Sequence, residues 1–315
     1  MSKTLSHSLL LITAFVWGIT FVFQATGMEQ GLGPFGFTAF RFLAGSIALL
    51  PLALWEARTA SLYQLLKQSR DTGDKAAAGA VNPNKYLLIA TLALGLIMFI
   101  GSALQQISLG ITSVANTAFL TTLYVPLVPL LGLVLFARNI RGLRWIAVGI
   151  FLVGSWLMSG ASPNEAVIGD IMVVIGAVFW ASHIMIVGWL AQQTNMPFQL
   201  AFIQTFITMV LSFLVLGLIE SFTMAQVIAV LPEILFAGVM STALGFTLQL
   251  MAQQHCSNAA AAIILSLEGV IAAVAGWILL DQSMANSAIF GAGLIFVAVL
   301  IVELTPEHKR TAPSA

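Results

Sequence analysis

Long apolar runs alternate along the chain with short polar breaks that carry glycine or proline, and each run is long enough to cross a bilayer as a helix. Ten such runs lie at roughly 8–25, 34–55, 86–109, 114–136, 143–159, 169–192, 197–219, 226–253, 258–280 and 287–304. One long polar stretch, residues 56–85, interrupts them; it mixes both charge signs with Ala and Gly, and Gly73, Gly79 and Pro83 punctuate it. That stretch reads as a solvated loop, in which Ser61 to Gln68 has a pattern suited to a membrane surface. The first run follows Lys3, as a signal peptide's would, but no small-x-small cleavage site follows it, so it reads as a retained span.

Composition narrows the class. The chain is 59% hydrophobic and 8% charged, against about 25% charged residues in a soluble domain. A soluble globular protein is excluded, and the expectation is an all-α integral membrane protein of ten transmembrane helices. Zero formal net charge gives no basic surface for nucleic acid. The single cysteine, Cys256, leaves no intrachain disulfide and no cysteine-rich metal site.

Lysine and arginine in short loops stay on the cytoplasmic side. With both termini placed there, Lys3, Arg58, Lys67, Arg70, Lys75, Lys85, Arg138, Arg141, Arg144, Lys309 and Arg310 all fall inside. Only Arg41 remains, within the second span. The outer connections then carry Glu29, Glu165, Asp170, Glu220 and Glu233, with Asp281 ending the ninth span. A wrong span count would have scattered these charges over both faces.

An internal repeat divides the chain. AFVWG around Trp17 returns as AVFWA around Trp180, 163 residues on, and Pro34-Phe35 returns as Pro197-Phe198 at the same offset, which sets Arg41 against Gln204. Further along the offset becomes 144, pairing Ser113 with Ser257 and Tyr124 with Glu268. The drop matches a long loop present only in the first copy. The units are residues 8–159, containing loop 56–85, and 168–304. Five spans per copy invert the second relative to the first, so the fold expected is two inverted five-helix repeats with a site near the midplane where they meet.

Four segments carry a resemblance to a known family: AFVWGITFV, FRFLAGSIALLPLAL, SVANTAFLTTLYVPLVPLLG and SNAAAAIILSLEGVIAAVAGWILLDQ. Over about residues 8–303 the chain resembles the bacterial drug/metabolite transporters of the ten-helix EamA type. Relatives repeat the last pattern in both halves, ending in Gly-Glu; here Ala137 and Asp281 stand at those positions. The resemblance implies a multi-pass protein of the bacterial cytoplasmic (inner) membrane that exports amino acids, metabolites or drugs and needs no cofactor.

Glu268 sits halfway along an apolar, small-residue span, where a carboxylate is costly unless it faces protein, water or a ligand. It can bind a substrate amine or a coupling proton, or it can be a structural partner for another helix. Tyr124 is its repeat-related position. Arg41, deep in the second span, can hold a substrate carboxylate, or it can neutralise an acid of the protein itself. Trp17 and Trp180 fall mid-span, away from the interfacial belt, and can form two sides of an apolar cage or simply pack. His183 shares a helix face with Trp180, as a proton relay or a neutral hydrogen-bonded side chain. Gln24, Gln105, Asn116, Gln204 and Gln249 can line a pathway or join helices. Pro126 and Pro129 bend the fourth span. No residue set has metal-ligand spacing.

A secondary transporter of small molecules, exporting by alternating access, is the leading function. An intramembrane enzyme is the rival from another class, and it lacks support because HExxH, GxSxG and nucleotide-binding loops are all absent. Amino-acid-like metabolites are the first substrate class and drugs or organic cations the second. Protons are the candidate coupling ion, and the assembly expected is a monomer or weak homodimer.

Overall fold

The structure, a computed structural model, describes residues 1–59, 83–136, 142–158, 167–194, 196–282 and 286–304. Most of loop 56–85, with its Ser61–Gln68 segment, lies outside the described residues, as do Arg138, Arg141, Glu165, Lys309, Arg310 and Ala137. Every regular element among the described residues is helical. Water-free surroundings dictate that outcome, because a helix satisfies its backbone groups within one segment.

The first half runs α1 (Lys3–Glu29), α2 (Pro34–Thr59), α3 (Pro83–Leu109), α4 (Val114–Thr121), α5 (Tyr124–Phe136) and α6 (Leu143–Met158). The second runs α7 (Val167–Thr194), α8 (Pro197–Ile219), the short α9 (Met224–Ala229) and α10 (Leu231–Leu235), a π-helical segment (Phe236–Gly245), α11 (Phe246–Gln253), α12 (Asn258–Leu265), α13 (Leu267–Leu279) and α14 (Asn286–Leu304). Hydroxyls inside the helices mostly bond back to their own helix, as Thr20 does to the Val16 carbonyl (2.6 Å) and Thr208 to that of Gln204 (2.8 Å). Such groups are satisfied locally and mark no pathway.

Eight helical passes are long and apolar enough to cross a membrane by length and composition. The expected fifth and tenth spans coincide with α6 and α14, whose apolar stretches, Trp145–Gly154 and Ile289–Ala298, are shorter. At a helical rise of 1.5 Å per residue, ten residues cover about 15 Å, half of a bilayer core. A second difference concerns the eighth span. It begins at Leu231 rather than Gln226, because Thr223 and Gln226 form a capping box that starts the separate helix α9.

The expected fourth and ninth spans are each broken in two, and the breaks correspond. Ser113 and Ser257 cap α4 and α12 through hydrogen bonds from the Asn116 and Ala260 amides (3.1 and 3.3 Å). Thr122 and Ser266 end these helices, each donating its hydroxyl to the carbonyl three residues back, that of Phe119 or Ile263, at 2.6 Å. Every one of these pairs is 144 residues apart. In the fourth pass the break falls four residues before Pro126, where the ring removes the amide that would have bonded to Thr122.

The closest helix pairs are α2 with α8, α3 with α7, α1 with α13, and α6 with α14. All four join an element before residue 160 to one that begins at residue 167 or later. The two halves of the chain are therefore interleaved rather than set side by side. Phe119, Tyr124 and Val125 share one buried cluster with Ile263, Ile264 and Leu265, which places both helix breaks at the centre of the molecule.

Candidate functional site

A cavity with a free volume of about 50 Å³ lies between the interleaved helices. That is room for a few waters, well under the several hundred Å³ of an ordinary ligand pocket. The cavity is narrow and is lined by residues from α1, α2, α3, the two broken passes, α7, the π-helical segment and α11.

Nine residues singled out from the sequence meet there: Trp17, Gln24, Arg41, Gln105, Tyr124, Trp180, His183, Gln249 and Glu268. The Tyr124 hydroxyl donates to Glu268 Oε1 at 2.9 Å. Tyr124 is the first residue of α5 and Glu268 lies in the first turn of α13, so each stands immediately after its helix break. A helix N-terminus carries partial positive charge, which favours a carboxylate at that position.

Arg41 does not pair with Glu268. Its Nη1 donates to Gln24 Oε1 at 2.8 Å, the guanidinium carbon lies 4.8 Å from the Phe42 ring centroid, and its buried Nε has no hydrogen-bond partner. Gln24 is fixed in turn, its carbonyl accepting from Gln106 Nε2 at 3.1 Å. Each of the two deep charges is thus held by a neutral group and lines the same cavity.

The aromatic wall has three members. Phe246 lies between the tryptophans, 4.9 Å from Trp17 and 6.3 Å from Trp180 by ring centroids, and stacks with Trp180 at an interplanar angle of 11°. His183 stands edge-on to both Phe246 and Trp180 at 5.6 Å. Its Nε2 lies 2.9 Å from Gln204 Oε1, and a nitrogen facing an amide oxygen is the donor. His183 Nδ1 is buried without a partner, as are both amide atoms of Gln249.

Two candidates do not line the cavity. Asn116 donates its amide to Asp170 (2.5 Å) and to Thr112 (3.0 Å), joining α4 to the start of α7. Gln204 stands behind His183 and positions it. Both are helix-to-helix bonds, the alternative that polar residues in a membrane bundle always carry. Ser102, Thr121, Ser241, Phe21, Phe42 and Phe246 line the cavity without having been singled out.

The tryptophans rest on glycines of the opposite half. A Cβ on Gly245 would lie 2.4 Å from Trp17 Nε1, and one on Gly101 would lie 3.2 Å from the Trp180 ring. Trp17 also donates its indole N–H to the Ser241 carbonyl at 3.1 Å. That carbonyl belongs to the π-helical segment, where the Thr242 hydroxyl donates to the Ala237 carbonyl five residues back; π-turns recur at functional sites. No group of His, Cys, Asp or Glu among the described residues is placed to hold a metal ion.

A profile of the EamA-like transporter family matches residues 4–160 and again 167–304. A protein of Archaeoglobus fulgidus described as an uncharacterized transporter is 28% identical over 300 residues, covering 94% of this chain and 84% of its own length. A second uncharacterized transporter of the same organism is 25% identical over 187 residues, covering 58% of this chain and 56% of its own. One crystal structure superimposes with a TM-score of 0.69 at 15% identity, over 94% of this chain and 96% of that one, a likeness of fold alone. With nearly all of its length accounted for by two copies of one profile, the chain belongs to the EamA-like transporter family.

Proposed function

We propose that this protein is a secondary transporter that exports a small zwitterionic metabolite, such as an amino acid, by alternating access through the central cavity. One observation carries the reading. Arg41 and Glu268 line the same cavity, and each is bonded to a neutral partner, Gln24 or Tyr124, instead of to the other. Two deep charges left uncancelled are expensive, and a ligand with a carboxylate and an ammonium compensates both at once.

Ten crossings in two inverted five-helix repeats, residues 8–159 and 168–304, complete the proposal. Support comes from the direct bond between Tyr124 and Glu268. Residues related by a two-fold axis touch each other only when both lie near that axis, which is where an inverted-repeat transporter binds its solute. The cavity is too small for a solute in this form, so the lining helices must part. The breaks at Thr122 and Ser266, next to Tyr124 and Glu268, are where two of them can bend. The distribution of Lys and Arg supports a bacterial cytoplasmic (inner) membrane setting with both termini cytoplasmic.

A second reading, export of organic cations or drugs, draws on the Trp17, Phe246 and Trp180 wall beside Glu268, since aromatic faces attract cations. Proteoliposome flux separates the two. A panel of amino acids and organic cations is offered to wild type, Glu268→Gln and Arg41→Gln, with and without a pH gradient. Amino-acid flux lost in both variants is the expected result. Cation flux that survives Arg41→Gln moves the assignment to the second reading, and flux unchanged in Glu268→Gln removes that residue from the site. Flux that depends on the gradient only in wild type makes Glu268 the proton-coupling group.

A further inference from the structure

Helices α2 and α8 share an unusual need. Each begins with Pro-Phe, and neither has a side-chain cap of its own: Gly33 precedes α2, and Met196 before α8 makes no side-chain hydrogen bond. The first amides of a helix have no partner within it, and in a membrane protein they must find one. Here each helix is capped by the far end of the other. Glu220, immediately after α8, accepts from the Phe35 and Gly36 amides at 3.0 and 2.9 Å. Glu56, in the last turns of α2, accepts from the Gln199 amide at 2.8 Å and takes a backbone hydrogen bond from Phe198. The same two positions are used in both helices, 163 residues apart.

These contacts are built rather than incidental. A carboxylate on two helix-start amides combines charge-assisted hydrogen bonds with the positive end of the helix dipole. A Cβ on Gly33 would lie 2.5 Å from Glu220 Oε2, so the seat for that carboxylate exists because position 33 is glycine. Aromatic pairs accompany the clamps, Phe40 with Phe213 at 5.3 Å and Trp55 with Phe198 at 6.4 Å. The α2–α8 interface is among the closest in the molecule.

We infer that Glu56 and Glu220 clamp α2 and α8 into one rigid body that crosses the repeat boundary and keeps its internal geometry while the cavity changes access. The inference rests on the alternating-access reading above and specifies which parts move. If residues before 160 rocked as a block against those after 167, α2 and α8 would separate at one end in each state. One carboxylate and two helix-start amides would then lose their partners. Both clamps are closed at once here. The body they make holds Arg41 on α2 and Gln204, the support of His183, on α8. Opening is left to the broken passes that carry Tyr124 and Glu268. Glu56 and Glu220 act as positioning residues and do not touch the solute.

Joining the two helices covalently tests this. In a Cys256→Ala background, the pairs Phe40→Cys/Phe213→Cys and Trp55→Cys/Phe198→Cys are bridged together with a short bifunctional thiol reagent. Flux of the solute identified by the panel is then measured in phosphatidylethanolamine and phosphatidylglycerol vesicles. Flux within about twofold of the unbridged protein is expected, and a tenfold or greater loss overturns the inference. If the panel identifies no solute, the functional reading fails and the clamp is decided separately, by pulsed-EPR distances between spin labels on the same pairs. One distance at each end, with a second appearing in Glu56→Ala or Glu220→Ala and receding in the Gln variants, supports the clamp. Two distances with both carboxylates intact overturn it.

Discussion

Trp17 rests on Gly245 and Trp180 rests on Gly101, each indole of one half seated on a glycine of the other. The tryptophans are 163 residues apart and the glycines 144, so the two seats are equivalent positions of the repeat. Their bonding differs. Trp17 is tied to the Ser241 carbonyl at 3.1 Å, whereas Trp180 Nε1 is buried with no acceptor. The cause lies in the backbone beneath them. Gly245 closes a ten-residue π-helical segment, and Gly101 lies within the α-helix α3. Position 97, the counterpart of Ser241, keeps its carbonyl within α3. One local change of helix type thus converts a symmetric cage into one fixed wall and one wall with a free donor.

Adding a methyl group to each seat gives the largest expected contrast. Gly245→Ala places a Cβ well inside van der Waals distance of an indole that a hydrogen bond holds in place, and overpacking of that kind costs about 1–3 kcal/mol. Gly101→Ala meets its indole at 3.2 Å, where a shift of a few tenths of an ångström suffices, and should cost less than about 1 kcal/mol. The thermal midpoint of the purified protein in detergent reads both. Equal losses would mean that the seats are alike and that the π-helical segment plays no part in the difference.

Removing the indole donor sharpens the same contrast. Trp17→Phe deletes the bond to Ser241 and leaves a buried carbonyl with less satisfaction, an expected loss of about 1–3 kcal/mol in the same assay. A second consequence separates this from lost packing. With its acceptor bond gone, the 236–245 stretch should exchange its amides faster, while α3 should not respond. Unchanged exchange there would detach the tryptophan from the π-helical geometry.

How much of this was readable beforehand varies with how local the signal is. Spans, Trp17, Trp180, Arg41 and Glu268 are anomalies of type or position within apolar runs, and the repeat alone pairs Tyr124 with Glu268, the two that the structure bonds. The break at Thr122 was legible through Pro126. The matching break at Ser266 was not, because no proline stands at position 270. Phe246 is one of 21 phenylalanines, and its repeat counterpart is Ser102, so nothing local distinguished it from lipid-facing ones. Asn116 and Gln204 failed as lining residues for a related reason: a polar side chain in a span has the same appearance whether it faces a cavity or another helix. The eighth span starts later than the apolar run suggests, because that run continues through the capping box that Thr223 and Gln226 spell. The reciprocal caps of α2 and α8 join residues 143 to 185 positions apart, and only the tertiary pairing brings them together.

The smallest effect on stability should come from the untied indole, and it is the most informative about function. Trp180→Phe removes no hydrogen bond within the protein, so its cost is limited to lost contact area, less than about 1 kcal/mol at this partly exposed site. Its donor is buried beside a cavity that must widen before a solute enters. If the widened cavity turns that N–H toward the solute, Trp180→Phe weakens binding by about the worth of one neutral hydrogen bond, 0.5–1.5 kcal/mol or roughly two- to tenfold in Kd. Trp17→Phe, whose donor is already engaged, should lower stability while leaving Kd nearly unchanged. Equilibrium binding of the solute identified by the flux panel, measured alongside thermal midpoints, gives two numbers for each variant. Opposite patterns in the two variants are the expected outcome. Parallel patterns would mean that both tryptophans serve packing alone, and the polar recognition would then fall to Arg41, Glu268 and the unpartnered amide of Gln249.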